Sequence, residues 1–235
     1  MPTPFIVLSC IRSGSTHLTR LLNAHPQVVA NGEVFNDSDP DYNWPGYPPT
    51  STNQMIEVAF VNYPGREKNP LAVGCKITDQ ALFGDPSRLG ELLALTGMKA
   101  VVLQRRNQFE CFRSMLQAWD TTNWQLQSGQ DRVELPPVTL SPLTCKSFFE
   151  RAAMFYGKLA ILIPPGQAIW VDYDDHLVAD EGATLAQIWN HLGVPPVQVG
   201  HTLVKQEVRP LSETVENYDE LVLLFEHTEY GVFLP

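Results

Sequence analysis

No apolar run in the 235-residue chain approaches the roughly 20 residues that cross a bilayer as a helix, so no membrane span is expected. Basic residues are scarce: 16 Lys and Arg stand against 26 Asp and Glu, a formal net charge of -10. Nucleic acids and anionic membranes reward clustered cations, so neither is an expected partner. The four cysteines, Cys10, Cys75, Cys111 and Cys145, lie far apart without a CxxC pair. That usage reads as buried thiols, not as disulfides or metal ligands. No histidine pair has H-x-x-x-H spacing, and no metal site is expected. The first strand pattern begins at Phe5, which leaves no room for a signal peptide. A cytoplasmic protein that binds an anion must therefore converge its few cations on one pocket.

What is present is an alternation of strand and helix patterns. Strands are expected at residues 5–8, 28–30, 71–77, 100–103 and 169–173, the first being the short apolar run Phe5-Ile6-Val7-Leu8. Helices are expected from Thr16 to a stop at His25-Pro26, from Asp85-Pro86 through Leu89, Leu92 and Leu93, and from the fourth strand to Trp119. Others follow at residues 142–162 (after Ser141-Pro142), 183–192 (ended by Gly193) and 218–225. Such alternation indicates a parallel sheet covered on both faces, within a single domain spanning residues 1–235. The aperiodic stretches 36–54 and 121–137 read as loops that could close over a ligand.

The segment Ser9-Cys10-Ile11-Arg12-Ser13-Gly14-Ser15-Thr16 leaves the first strand and enters the first helix. A helix N-terminus presents unsatisfied N–H groups and a positive dipole end, a ready anion site. Gly14 allows close backbone approach, and the hydroxyls of Ser13, Ser15 and Thr16 are further donors. A Ser/Thr-capped helix start is the plain alternative, but it leaves Arg12 unexplained. In the ATP-binding pattern G-x-x-x-x-G-K-[ST], the lysine carries phosphate charge; aligned on Gly14, that position here is Ser15. With the cation moved to Arg12, Ile11-Arg12-Ser13-Gly14-Ser15-Thr16 resembles the 5′-phosphosulfate loop P-[KR]-[ST]-G-[ST]-[ST] of sulfotransferases that use 3′-phosphoadenosine-5′-phosphosulfate (PAPS), with Ile11 in place of proline.

That resemblance implies a three-layer P-loop-like α/β fold around a mainly parallel sheet, with PAPS as co-substrate and no metal. It also implies a second anion site for the 3′-phosphate: Arg106, closing the fourth strand, and Ser114, eight residues on. Where some relatives carry a further basic residue four positions after the serine, this chain has Ala118. Val171-Asp172-Tyr173-Asp174-Asp175 resembles the family's V-x-Y-E-D-L strand end, which implies that Tyr173 flanks the nucleotide. The tail Val204-Lys205-Gln206-Glu207-Val208-Arg209-Pro210 is similar to that of bacterial carbohydrate sulfotransferases. By analogy with the protein-tyrosine enzymes, it implies that Lys205 approaches the nucleotide.

Sulfuryl transfer needs a base for the acceptor hydroxyl and cations for the transferring oxygens. Glu33, just past the second strand, matches the base position of protein-tyrosine and trehalose sulfotransferases, and Arg12 and Lys76 match the stabilising cations. The implied acceptor is a carbohydrate or another small hydroxylated molecule, with Tyr42, Trp44, Tyr47, Trp119 and Trp124 as possible stacking groups. Two other readings stay open. A nucleotide kinase or NTPase is suggested by Ile169-Trp170-Val171-Asp172, a strand ending in a potential Mg²⁺-holding Asp; a non-catalytic nucleotide-binding module is the other.

Overall fold

The computed structural model describes residues 1–33, 51–63, 65–83, 87–200 and 203–234. In chain order its elements are β1 (Thr3–Ser9), α1 (Ser15–Ala24), β2 (Val28–Glu33), α2 (Thr52–Ile56), β3 (Ala72–Thr78), α3 (Asp79–Phe83), α4 (Ser87–Leu93) and β4 (Lys99–Gln104). Then come α5 (Gln108–Thr121), β5 (Leu126–Gln127), α6 (Pro142–Leu162), β6 (Ala168–Asp172), α7 (Glu181–Leu192), β7 (Leu203–Val204), α8 (Leu211–Thr214) and α9 (Tyr218–Phe225). The backbone falls into two compact units, Met1–Gln104 with Lys158–Gly200, and Arg105–Gly157 with His201–Pro235.

The first unit holds a five-stranded sheet in the order β2-β3-β1-β4-β6, every pairing parallel. β1 lies in the middle, and its residues Phe5, Ile6, Val7 and Leu8 are all fully buried, so both faces of the strand are covered. One face is packed by α1 and α7: Phe5, Val7, Val101, Leu103 and Val171 share a core with Leu18, Leu21, Leu22, Ile188 and Trp189. The close pairing of β1 with β3 requires Gly74, because a Cβ there would lie 2.3 Å from the Phe5 carbonyl oxygen. All four cysteines are buried thiols, and burial pushes Cys75 and Cys145 up to about 12, far from the reactive thiolate.

The second unit is organised by an aromatic cluster. Phe149 of α6 meets Phe109 of α5 edge-on at 4.7 Å and Phe233 at 5.3 Å, while Phe225 of α9 lies 5.6 Å from Phe109. Each such contact adds to burial through the ring quadrupoles. Among the described residues, no helix is long and apolar enough to cross a membrane.

Several expected boundaries move. The second strand does not stop at Asn31-Gly32; it bulges there and continues to Glu33. The loop expected at 36–54 lies mostly outside the described residues, and its last part is helical from Thr52. Arg106 does not close the fourth strand, which ends at Gln104; Arg105 and Arg106 belong to the turn before the Asn107 cap. The polar stretch 121–137 contains β5, paired antiparallel with β7 of the tail. Residues 84–86, where the Asp85-Pro86 helix start was expected, lie outside the described residues, and α4 is helical from Ser87.

Candidate active site

Parallel strands place ligands at their carboxyl ends, and β1, β2 and β3 bring their ends together on one edge of the first unit. From Ser9 the chain turns through Arg12 at φ 60° and Gly14 at φ 89° before α1 begins. Left-handed residues next to right-handed ones turn successive N–H groups toward one side, the geometry of an anion nest. Gly14 is the N-cap of α1 and makes no side-chain capping bond. By contrast, Asn107 caps α5 by accepting from Glu110 N–H, and Asp180 caps α7 by accepting from Ala183 N–H. A plain Ser/Thr cap is therefore not what this junction makes.

The loop is pinned from two sides. Ser13 Oγ donates to the Cys10 carbonyl at 2.7 Å, so that hydroxyl's proton ties the loop internally. The Ile11 N–H donates to Asp79 Oδ1 at 2.9 Å, anchoring the loop to the start of α3. The Tyr173 ring lies against Gly14, where a Cβ would sit 2.3 Å from ring carbons. At the loop entrance, Ser9 Oγ is fully buried without a hydrogen-bond partner among the described residues, a polar group of the kind a bound ligand satisfies.

Glu33 reaches this edge through the bulge. Asn31 pairs with Cys75 but Glu33 pairs with Lys76, so two residues of β2 advance against one of β3. Side chains alternate along a strand, and the extra residue re-aims Glu33 onto the face of its partner Lys76. Lys76 in turn pairs with Val7, whose side chain faces α1. Lys76 Nζ lies 3.1 Å from Glu33 Oε1 and donates to Thr16 Oγ1 at 2.9 Å. Thr78, two residues on and on the same face, donates its hydroxyl to Glu33 Oε2 at 3.1 Å. A carboxylate, an ammonium and the hydroxyl of the α1 entrance thus form one contiguous group. With Lys76 only 4% exposed, its charge acts in a poorly screened setting.

The second unit carries its own charged group. Arg113 of α5, 1% exposed, pairs with Glu110 and donates to Thr214 Oγ1 at 3.1 Å; Arg105 lies 3.6 Å from the same Glu110. In the tail, Arg209 grips Glu207 at 2.6 Å and donates to the Leu135 carbonyl at 2.7 Å. Burial alone would raise the Glu207 carboxyl, but hydrogen bonds from Arg209 and the Arg209 and Arg113 charges bring it down to about 2. Stability from this group is therefore full above the usual glutamate value of 4.5 and is lost as pH falls through about 2. Followed by circular dichroism, the stability of the wild type should fall more steeply between pH 4.5 and 2 than its other carboxylates dictate, and Glu207→Gln should flatten the dependence in that window. Arg106 is exposed and Ser114 half-buried on α5, while Lys205 is exposed beside Val204, the partner of Leu126.

Comparisons with known proteins identify the family. A model of the Sulfotransferase family matches residues 4–57, the stretch holding the loop and Glu33. Nodulation protein H of Rhizobium meliloti (strain 1021) is 34% identical over 237 residues, covering 99% of this chain and 95% of that protein. Nodulation protein H of Rhizobium tropici is also 34% identical, covering 99% and 93%. The chain belongs to the sulfotransferase family. The enzyme's fold is shared with a sulfotransferase from Alicyclobacillus acidocaldarius, with a TM-score of 0.56 at 14% identity over 99% of this chain and 98% of that one.

Within the first unit of this sulfotransferase, the structure brings together Arg12, Ser13, Gly14, Ser15, Thr16, Glu33, Lys76 and Tyr173 at the ends of the strands. Arg106, Ser114 and Lys205 belong to the second unit. Sequence reasoning missed Thr78 and Asp79, two and three residues after Lys76, and the buried Arg113. Asp172, the potential Mg²⁺ ligand of the kinase reading, uses Oδ1 to accept the Asp174 and Asp175 N–H groups, both at 3.0 Å. That is a capping role.

Proposed function

We propose that this enzyme transfers the sulfuryl group of PAPS to a hydroxyl of a carbohydrate or similar small acceptor, with Glu33 as general base. The observation that carries the reading is the uncapped N-terminus of α1, set next to the Lys76–Glu33 pair through Thr16. The loop from Ser9 to Thr16 takes the 5′-phosphosulfate through backbone N–H groups and the Ser15 and Thr16 hydroxyls, with Arg12 adding charge. Tyr173, against Gly14, flanks the nucleotide. By motif, Arg106 and Ser114 take the 3′-phosphate and Lys205 approaches the nucleotide.

When bound, PAPS supplies the sulfuryl group: the acceptor oxygen bonds to sulfur, the bond to the bridging phosphate oxygen breaks, and adenosine 3′,5′-bisphosphate leaves. Glu33 receives the acceptor proton. Lys76 and Arg12 stabilise the charge that moves to the leaving phosphate, the role in which fixed cations lower the barrier most. The tail from Val204 to Pro210, similar to that of carbohydrate sulfotransferases, favours a saccharide acceptor. The exposed Trp119 and Trp124 are suited to stacking on sugar rings.

Thermal-shift measurement in EDTA tests the co-substrate. Adenosine 3′,5′-bisphosphate at 100 times its Kd should stabilise the enzyme by about 2.7 kcal/mol without Mg²⁺. Stabilisation by Mg·ATP alone would instead indicate nucleotide-kinase chemistry. A screen with sulfur-labelled PAPS against saccharide, phenol and lipid acceptors then identifies the acceptor class, and label on phenols alone would overturn the saccharide assignment.

A further inference from the structure

The base and the co-substrate loop sit on different segments of chain, yet one short stretch holds both. Thr78 ends β3 and Asp79 begins α3. The Thr78 hydroxyl donates to Glu33 Oε2 at 3.1 Å, while Lys76 meets Oε1 at 3.1 Å. The next residue, Asp79, accepts the Ile11 N–H of the loop at 2.9 Å. Both side chains are deeply buried, Thr78 at 2% and Asp79 at 1% exposure.

We propose that Thr78 is a positioning residue for the base Glu33 and that Asp79 is its counterpart for the phosphosulfate loop, so that β3 sets the distance between proton acceptor and sulfuryl donor. This rests on the reading of Glu33 as base. A glutamate χ3 is broad and roughly two-fold, so one ion pair does not settle which carboxylate oxygen faces an incoming hydroxyl. A second bond to the other oxygen fixes the carboxylate plane. Threonine suits the task because its β-branch makes χ1 stiff, and the Thr78 backbone is held by its pairing with Ser9. Asp79 acts on the backbone of the loop itself. Removing its carboxylate frees the Ile11 N–H and lets the Arg12 turn relax, without touching Glu33.

The two positions are therefore separable by kinetics. Thr78→Val keeps the shape and removes the hydroxyl. It should lower kcat about ten- to a hundredfold, the scale of one hydrogen bond to a charged group, with the Kd for adenosine 3′,5′-bisphosphate unchanged. Thr78→Ser restores the hydroxyl and should recover most of kcat. Asp79→Ala should do the reverse, weakening adenosine 3′,5′-bisphosphate about tenfold or more while kcat at saturating PAPS falls less. Melting temperatures, measured in parallel, identify variants that fail to fold. If Thr78→Val keeps wild-type kcat while Glu33→Gln is inactive, the positioning role is wrong and the base stands. Equal losses in Thr78→Val and Thr78→Ser also overturn it, because a purely steric defect would produce them. Full activity in Glu33→Gln overturns the base reading itself, whatever Thr78 does.

Discussion

Glu33→Gln should lower the rate of sulfuryl transfer about 10²- to 10⁴-fold, the usual worth of a positioned general base, and should leave adenosine 3′,5′-bisphosphate binding no weaker than in the wild type. The amide has nearly the shape of the carboxylate and its oxygen still accepts from Thr78, so the strand edge keeps its packing. What it lacks is a basic oxygen for the acceptor proton. Binding survives because the residue removed is an anion. Lys76, 3.1 Å from Glu33, loses its counter-charge and keeps its bond to Thr16 at the α1 entrance, which leaves the neighbourhood of the loop more positive. Single-turnover transfer of labelled sulfate, with calorimetric titration of the nucleotide product, separates the two quantities. Undiminished transfer would remove Glu33 from the mechanism, and loss of both transfer and binding would make it a structural residue.

Gly14→Ala should abolish useful co-substrate binding through two independent effects. The residue sits at φ 89°, where an L side chain costs about 1–2 kcal/mol. Its Cβ would also lie 2.3 Å from Cδ2 and Cε2 of Tyr173, closer than carbon atoms approach. Either the ring leaves the loop or the loop shifts, and the N–H groups that converge on an anion lose their common focus. The nucleotide Kd should rise at least about a hundredfold, equivalent to two steps of 1.4 kcal/mol, with a smaller drop in melting temperature. Adding Tyr173→Ala to Gly14→Ala removes the steric conflict but not the backbone strain, so affinity should return only in part. Complete recovery would assign the whole effect to the ring, and wild-type binding in Gly14→Ala alone would detach the loop from the nucleotide.

Much of this architecture was legible in local pattern. The apolar run at β1, the Leu18, Leu21 and Leu22 stripe of α1 and the Gly193 stop of α7 each lie where periodicity and end signals put them. The short elements were not legible. β5 and β7 are two residues each, too few to show alternation, and exist because they pair with one another. α3 is five residues with no periodic stripe to announce it. Arg113 stands among the apolar positions of α5, where pattern alone calls for a hydrophobic side chain; Glu110, with the Thr214 hydroxyl, the Arg209 carbonyl and the Glu207 charge from the tail, makes its burial tolerable.

The loop at Ser9 to Thr16 shows the division most clearly. By itself the sequence determined that a strand meets a helix there, that a glycine stands at the turn and that the cation is Arg12 in place of a kinase-type lysine, because those are properties of adjacent residues. Only the tertiary structure decided that α1 is left without a side-chain cap and that Asp79 and Tyr173 hold the loop in shape. It alone set Glu33 against Lys76 and Thr78. Thr78 and Glu33 are 45 residues apart, and their meeting depends on a one-residue bulge at Gly32 between parallel strands. A single extra residue changes which face a side chain takes, and no local periodicity encodes the register of a partner strand.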